Sequence, residues 1–268
     1  MNELALFAGA GGGILGGHLL GWRTVCAVER DAYAAQVLAQ RQNDGVLRPF
    51  PIWSDVTTFD GTAWRGIVEV ISGGFPCQDI SIAGNGAGLD GARSGLWVEM
   101  ARIVCEVQPG VVLVENSPML TSRGLGRVLG DLAEMGFDAE WGVISAADVG
   151  APHLRERIWI VAYARGERYR IAAKALCARW NASKPRGEAL AYADGDDQDG
   201  RRSAVQMGRL AIEREAPNDG DAGRVEWPVE PAVGRMANGV AHRVDRLTAL
   251  GNGQVPRVAA AAFTLLAR

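Results

Sequence analysis

The chain is poor in lysine, histidine and cysteine. Only Lys174 and Lys184 among its 28 basic residues are lysines; the rest are arginines. Its 268 residues include three histidines and four cysteines (Cys26, Cys77, Cys105 and Cys177), and no two cysteines form a C-x-x-C pair. This pattern supplies no zinc spacing and argues against a disulfide framework or a structural metal. No run of about 18 or more apolar residues is present, which excludes a membrane-spanning helix. The opening Met-Asn-Glu-Leu-Ala-Leu-Phe-Ala has neither the positive start nor the apolar core of a secretory signal, so a cytoplasmic location is expected.

The composition is that of a globular protein. Apolar residues make up 48% and charged residues 22%, and mean hydropathy is near zero. The length suits one domain, or one large domain with a small appendage. A net charge of −3 and a pI of about 5.7 lack the basic footprint usual in nucleic-acid binders. The arginine excess points two ways. The forked guanidinium suits phosphate and base-edge contacts, and GC-rich coding DNA enriches arginine with no functional cause.

Residues 1–163 alternate short apolar runs with helical periodicity, as in βαβ units and a largely parallel sheet. Strands are expected at 4–7, 24–28, 68–72, 111–114 and 158–161. One helix is expected to follow the 9–13 glycine loop towards Leu20, and another to run from an Asp31 cap to about Gln42. A third would start at a Ser94 cap and bury Leu96, Met100, Ile103, Val104 and Val107. A fourth would bury Leu125, Val128, Leu129, Leu132 and Met135 and stop at Gly136. The character then changes: 165–224 is rich in Arg, Asp and Gly without sustained period, carrying +5 over 165–190 and −3 over 191–224. Regular structure is expected to resume near Pro256, in the first turn of a helix ending at Ala267.

The residues able to do chemistry cluster at predicted strand ends. Phe7-Ala8-Gly9-Ala10-Gly11-Gly12 follows the first strand, where glycines admit a ligand to the backbone and a helix N-terminus offers free N–H groups. Glu29, ending the second strand, is placed to hold ribose hydroxyls. The other reading of this loop is a plain tight turn. Gly73-Gly74-Phe75-Pro76-Cys77-Gln78 puts a thiol at the rim where ligands bind, although a single cysteine can also be a small buried hydrophobe. The glycine-rich stretch 79–93 reads as a lid, or as a surface loop without a role. Glu115 ends the next strand on the same rim, unless it is a cap or a salt-bridge partner. Arg155 and Arg157, two apart on an extended chain, would point the same way and neutralise an anion or a carbonyl oxygen, or form a solvated pair.

In chain order, FAGAGG, CAVERD, SDV, GGFPCQ, VENS, HLRERIWIVA and ALGNGQVP resemble the motif series of the C5-cytosine DNA methyltransferases. The resemblance covers nearly all the chain except about 165–234. It implies an α/β, Rossmann-like S-adenosylmethionine-dependent fold with helices on both faces of the sheet, built from 1–164 and 235–268. A small irregular target-recognition domain would occupy 165–234. The implied donor pocket has Phe7, Gly9, Gly11, Gly12, Val56 and Pro76 as lining. Glu29 would hold the ribose, Asp55 would accept from the adenine amino group, and Asn252 would lie near the methionine end. Cys77 would add to C6 of a flipped-out cytosine, Glu115 would serve N3 and the exocyclic amine, and Arg157, supported by Arg155, would hold O2. Gln78, Ser81 and Arg93 would contact DNA. The implied partner is double-stranded DNA, approached by a monomer, with a cognate restriction endonuclease as a further candidate partner and no metal. The implied product of the donor is S-adenosylhomocysteine.

The chain departs from the family pattern in places. Ser117-Pro118 follows Glu-Asn where a valine is usual, His153 replaces the glutamine before R-x-R, and Gln254 replaces an apolar residue. An RNA methyltransferase on the same scaffold is the nearest alternative, but the DNA-like tRNA-modifying branch carries a Cys-Phe-Thr signature absent here. A binding-only relative has no need of a thiol, and a dinucleotide oxidoreductase leaves Pro76-Cys77 and R-x-R unexplained. The recognition region, about 70 residues, is short for the family. Few side chains are then available to read bases, so a short or relaxed target is expected. Bisulfite or nanopore mapping should return a site with fewer than about six defined base pairs, given the usual cost of each mismatch; a longer one overturns the expectation.

Overall fold

The computed structural model describes residues 1–76, 95–166 and 243–267. Seven described strands form one sheet: β1 Asn2–Leu6, β2 Arg23–Val28, β3 Ile52–Trp53, β4 Val70–Gly73, β5 Val111–Asn116, β6 Phe137–Ile144 and β7 Arg157–Ala164. The described helices are α1 Gly12–Leu19, α2 Ala32–Asn43, α3 Gly95–Val107, α4 Leu125–Glu134, α5 Arg243–Asn252 and α6 Pro256–Leu266.

Side chains along the central strands alternate between two apolar layers, because successive Cβ atoms leave opposite faces. Leu4, Leu6, Ile71, Val112, Val114, Ile158 and Ile160 pack with Trp97, Met100 and Val104 of α3 and Val128 and Leu132 of α4. On the other face, Val70, Val111, Leu113, Trp159 and Val161 pack with Val258 and Ala262 of α6. Ala5 and Ala27 meet Ile14 of α1 and Leu38 of α2 on that same face. Burial on both faces explains why these strands read as continuous apolar runs.

The strand order is β3-β2-β1-β4-β5-β7-β6. From β1 the chain winds outward to β3, then returns to the other side of β1 for β4. The C-terminal ends of β1 and β4 therefore bound a topological switch point, where open α/β sheets form their ligand crevice. β1–β5 are parallel, whereas β7 runs antiparallel to both β5 and β6.

Several elements differ from the sequence-based expectation. β1 ends at Leu6, since Phe7 takes a φ of 52° that no strand accommodates. β6 was not expected; it alternates Phe137, Ala139, Trp141 and Val143 with more polar residues and pairs on one side only. α5 precedes the expected resumption at Pro256, and its Val244, Leu247 and Leu250 are exposed rather than packed. The Asp31 cap is present, with its carboxylate accepting from Ala34 N at 2.8 Å. The expected Ser94 cap lies outside the described residues, as does the 167–242 segment. No described helix is long and apolar enough to cross a membrane. Cys26 and Cys105 sit in the core, and burial pushes the Cys26 thiol up to about 11, the opposite of an activated thiol.

Glu3 is fully buried within the sheet. Thr24 Oγ1 donates to Glu3 Oε2 at 2.7 Å and Ser72 Oγ donates to Oε1 at 2.6 Å. A register shift after Glu3, which leaves Val25 unpaired with β1, aligns Thr24 with the acid. Burial raises the Glu3 carboxyl from 4.5 to about 7, against the two hydroxyl bonds. The folded protein therefore holds a proton that the unfolded chain releases between those values, and stability falls as pH rises through that window. A shift of this size corresponds to about 3 kcal/mol. Glu3→Gln, which mimics the protonated acid, should flatten the fall in unfolding free energy between pH 5 and 8 measured by urea titration. An unchanged slope would remove Glu3 as its source.

Candidate active site

The turn after β1 is built by backbone geometry. Phe7, Gly9 and Gly11 have φ values of 52°, 54° and 87°. For Phe7 such a conformation is costly and persists only where the surroundings impose it. Ala8 N donates to Val28 O at 3.1 Å, and Gly11 N donates to Ala8 O at 3.0 Å, closing the turn. A Cβ on Gly9 would meet nothing within 4 Å, so this glycine serves its dihedral and leaves open space beside the chain. Gly11 serves both its dihedral and packing, and Gly12 serves packing. A Cβ on Gly11 would lie 2.7 Å from Leu38 Cδ2, and one on Gly12 would lie 2.1 Å from the Gln254 carbonyl oxygen.

Glu29 fixes the loop from the neighbouring strand. Its Oε2 accepts from Gly9 N at 2.6 Å and its Oε1 from Asp31 N at 2.7 Å. Each oxygen retains acceptor capacity, as vicinal hydroxyls would require. Asp55 caps the 56–58 turn: Oδ1 accepts from Thr57 N at 2.9 Å and Thr57 Oγ1 at 2.8 Å. These bonds hold its carboxyl below the usual range, as an ionised acceptor. Arg102 of α3 anchors this loop, donating to Val56 O at 2.8 Å and Phe59 O at 3.0 Å while paired with Glu99 and Glu106.

Glu115 is the penultimate residue of β5 and is buried. Arg157 Nε lies 2.9 Å from its Oε1, and Gln254 Nε2 donates to its Oε2 at 3.4 Å. Burial pushes its carboxyl above the usual range, while Arg157, Gln254 and Arg155 oppose the shift. The next residue, Asn116, faces the opposite side and donates from Nδ2 to Phe75 O at 3.0 Å, fixing the chain that leads to residue 77. Arg155 does not continue an extended run: its φ is 39°, and it donates from Nη2 to the carbonyls of Gly251 and Gly253. The two arginines therefore diverge, Arg157 onto Glu115 and Arg155 onto the last turn of α5 and the residue that follows it.

One cleft of about 760 Å³ opens at the switch point. Phe7, Gly9, Glu29, Asp55 and Val56 line it together with Pro76, Glu115, Arg157 and Asn252. Its volume is that of a small-molecule or cofactor site. Gly11, Gly12 and Arg155 are not among the residues that line it. Cys77, Gln78, Ser81 and Arg93 lie outside the described residues. Sequence reasoning gave no role to Asn116 or Arg102 and noted Gln254 only as a departure. The side-chain slot for Gln254 is signalled by the consecutive glycines at 12 and 13, legible only once their partner is known. No group of three or more potential metal ligands occurs among the described residues.

A family model for C-5 cytosine-specific DNA methylase matches residues 1–203. The Type II methyltransferase M.Eco47II of Escherichia coli is 36% identical over 168 residues, covering 59% of this chain and 38% of that protein. M.NgoBI of Neisseria gonorrhoeae, also a Type II methyltransferase, is 34% identical over 166 residues, covering 60% and 50%. The chain thus spans half or less of the length of these curated relatives. Among solved structures, a DNA modification methyltransferase encoded within an E. coli prophage matches with a TM-score of 0.50 and 26% identity, covering 61% of this chain and 47% of that one. The S. pombe Dnmt2 methyltransferase, at TM-score 0.50 and 20% identity over 62% and 52%, shares the fold. The chain belongs to the C-5 cytosine-specific DNA methylase family.

Proposed function

We propose that this member of the family transfers a methyl group from S-adenosylmethionine to C5 of a cytosine in double-stranded DNA. The observation that carries the reading is a single cleft with acids of opposite character at its two ends. Glu29 and Asp55 stand ready as acceptors at one end, and a buried Glu115 paired with Arg157 stands at the other. Pro76 lines that cleft and is bonded to Cys77, the thiol that this chemistry requires.

The residues fit the donor. Glu29 offers two oxygens to a ribose, the ionised Asp55 accepts from an adenine amine, Val56 and Phe7 supply apolar wall, and Asn252 flanks the amino-acid end. When bound, the donor supplies a methyl group on an electrophilic sulfonium sulfur.

Cytosine C5 is a weak nucleophile. A Cys77 thiolate adding to C6 forms an S–C6 bond and delivers the ring π pair to C5, which then takes the methyl group. Charge accumulates towards N3 and O2. Glu115, protonated with the help of burial, donates to N3 and accepts from the exocyclic amine. Arg157 uses its remaining N–H groups to hold O2. A base that the sequence does not name, with water as a candidate, then takes the C5 proton, and the electron pair expels Cys77. The target must leave the duplex, at a cost of a few kcal/mol. Arg155 acts through the last turn of α5 and the residue that follows it, and Gln78, Ser81 and Arg93 brace the DNA. Segment 165–234 reads a short or relaxed target. The protein acts as a monomer, and relatives named Type II methyltransferases support a restriction-modification setting with a cognate endonuclease.

Nucleoside mass spectrometry of DNA from cells expressing the wild type or Cys77→Ser tests the reaction. 5-Methylcytosine is expected with the wild type alone. Its absence from both, with folded protein that binds S-adenosylmethionine, overturns DNA methylation. The donor end is tested separately with Glu29→Gln, which turns an amide N–H towards one of the two backbone donors. Titration calorimetry with S-adenosylhomocysteine should show affinity weakened about tenfold or more, the scale of one lost charged hydrogen bond. Unchanged affinity removes Glu29 from the donor site.

A further inference from the structure

Gln254 lies between α5 and α6, at the position where the family pattern has an apolar residue. Its side chain occupies a slot made by absent side chains. A Cβ on Gly13 would lie 2.2 Å from Gln254 Oε1, and one on Gly74 would lie 3.0 Å from its Nε2 and 2.5 Å from Glu115 Oε2. A Cβ on Gly12 would lie 2.1 Å from its backbone oxygen. The slot thus runs from the glycine loop of the donor end, past the exit of β4, to Glu115. At its far end the amide donates to Glu115 Oε2, opposite the Arg157 contact on Oε1. Arg155 holds the same segment in place through the Gly251 and Gly253 carbonyls.

We propose that Gln254 is a positioning residue whose amide fixes Oε2 of Glu115 against the donor loop, setting the orientation and proton affinity of the acid that meets the target cytosine. The proposal rests on the reading of Glu115 as the base-facing acid. The charged groups facing Glu115 are Arg157 and Arg155, from β7 and the residues entering it, and Gln254 is its neutral partner. In the proposed reaction Arg157 shares its fork between Oε1 and the O2 of the base. Gln254 holds the other oxygen, Oε2, from a side chain confined at Gly13 and Gly74. An amide also carries both a donor and an acceptor, so it can bond either protonation state of the acid, which an apolar residue cannot.

Gln254→Met keeps the length and fills the slot without a donor. In that variant kcat should fall about tenfold while the KM for S-adenosylmethionine stays within about threefold, one lost hydrogen bond acting on the chemical step. A carbon-13 NMR titration of Glu115 should move alkaline, since the amide favours the ionised form. Gln254→Glu should recover activity towards acidic pH, where its carboxyl can donate, and lose it as both acids ionise. Wild-type kcat and an unmoved Glu115 titration in Gln254→Met overturn the proposal. So does a fall in donor affinity and thermal stability in step with kcat, the mark of a structural filler. If wild-type protein makes no 5-methylcytosine while the Glu115 titration still moves in Gln254→Met, the positioning role stands and the functional reading falls instead.

Discussion

A carboxylate taken out of water must be neutralised, paired or hydrogen-bonded, and Glu115 imposes that demand at the end of the central strand β5. Its partners come from remote parts of the chain. Arg157 reaches it because β7 is antiparallel to β5, with Asn116 opposite Ile158 and Glu115 opposite Trp159. That register delivers the first residue of β7 to the C-terminal rim of the sheet. A parallel β7 would begin at the opposite edge, and no arginine before it could reach the cleft. The reversed strand in an otherwise parallel core is thus what lets a buried acid and its counter-charge share the rim. Strand parity fixes the direction: Glu115 follows Val111 and Leu113 onto the α6 face, where Gln254 waits, while Asn116 turns to the other face and secures Phe75.

The same face explains the glycines of α1. Gly12 and Gly13 receive Gln254, and a Cβ on Gly16 would lie 2.7 Å from Ala259 Cβ and 2.9 Å from Pro256 O. α1 therefore presents a nearly bare surface on which α6 seats, and Trp22 closes the contact edge-on against Phe263 with ring centroids 4.8 Å apart. This packing joins the first and last described segments of the chain. It also rigidifies the loop that Glu29 grips from β2. The rim beside Glu29 is therefore shaped mostly by backbone, through positive φ angles and amide donors, and the rim beside Glu115 mostly by side chains.

That division accounts for what was legible beforehand. Backbone-driven features announce themselves locally: the glycine run after an apolar strand, Glu29 at a strand end, Asp31 before a helix. Both-face burial likewise shows as unbroken apolar runs. Features set by distant partners do not. β6 alternates well enough to be an edge strand, but its role depends on pairing with a β7 whose direction no local pattern reveals. α5 carries Val244, Leu247 and Leu250 at three-residue spacing yet exposes all three, so no buried stripe marks it. Arg155 and Arg157 share a spacing that suggests a common direction, and a left-handed φ at Arg155 separates them. The role of Gln254 could not be read without knowing that Gly13 and Gly74 face each other across it.

Asp55 and Glu115 are chemically similar acids tuned in opposite directions within one cleft. Two bonds from Thr57 at the surface hold Asp55 below the usual range, as a permanent acceptor. Burial pushes Glu115 up, and Arg157, Gln254 and Arg155 restrain the shift. An acid left wet and bonded is held towards its ionised form, and one left dry is pushed towards its protonated form. The fold supplies both environments by placing one acid on a solvated turn anchored by Arg102 and the other inside the sheet. Electrostatic contrast along the cleft, more than the net charge of the chain, is what distinguishes its two ends.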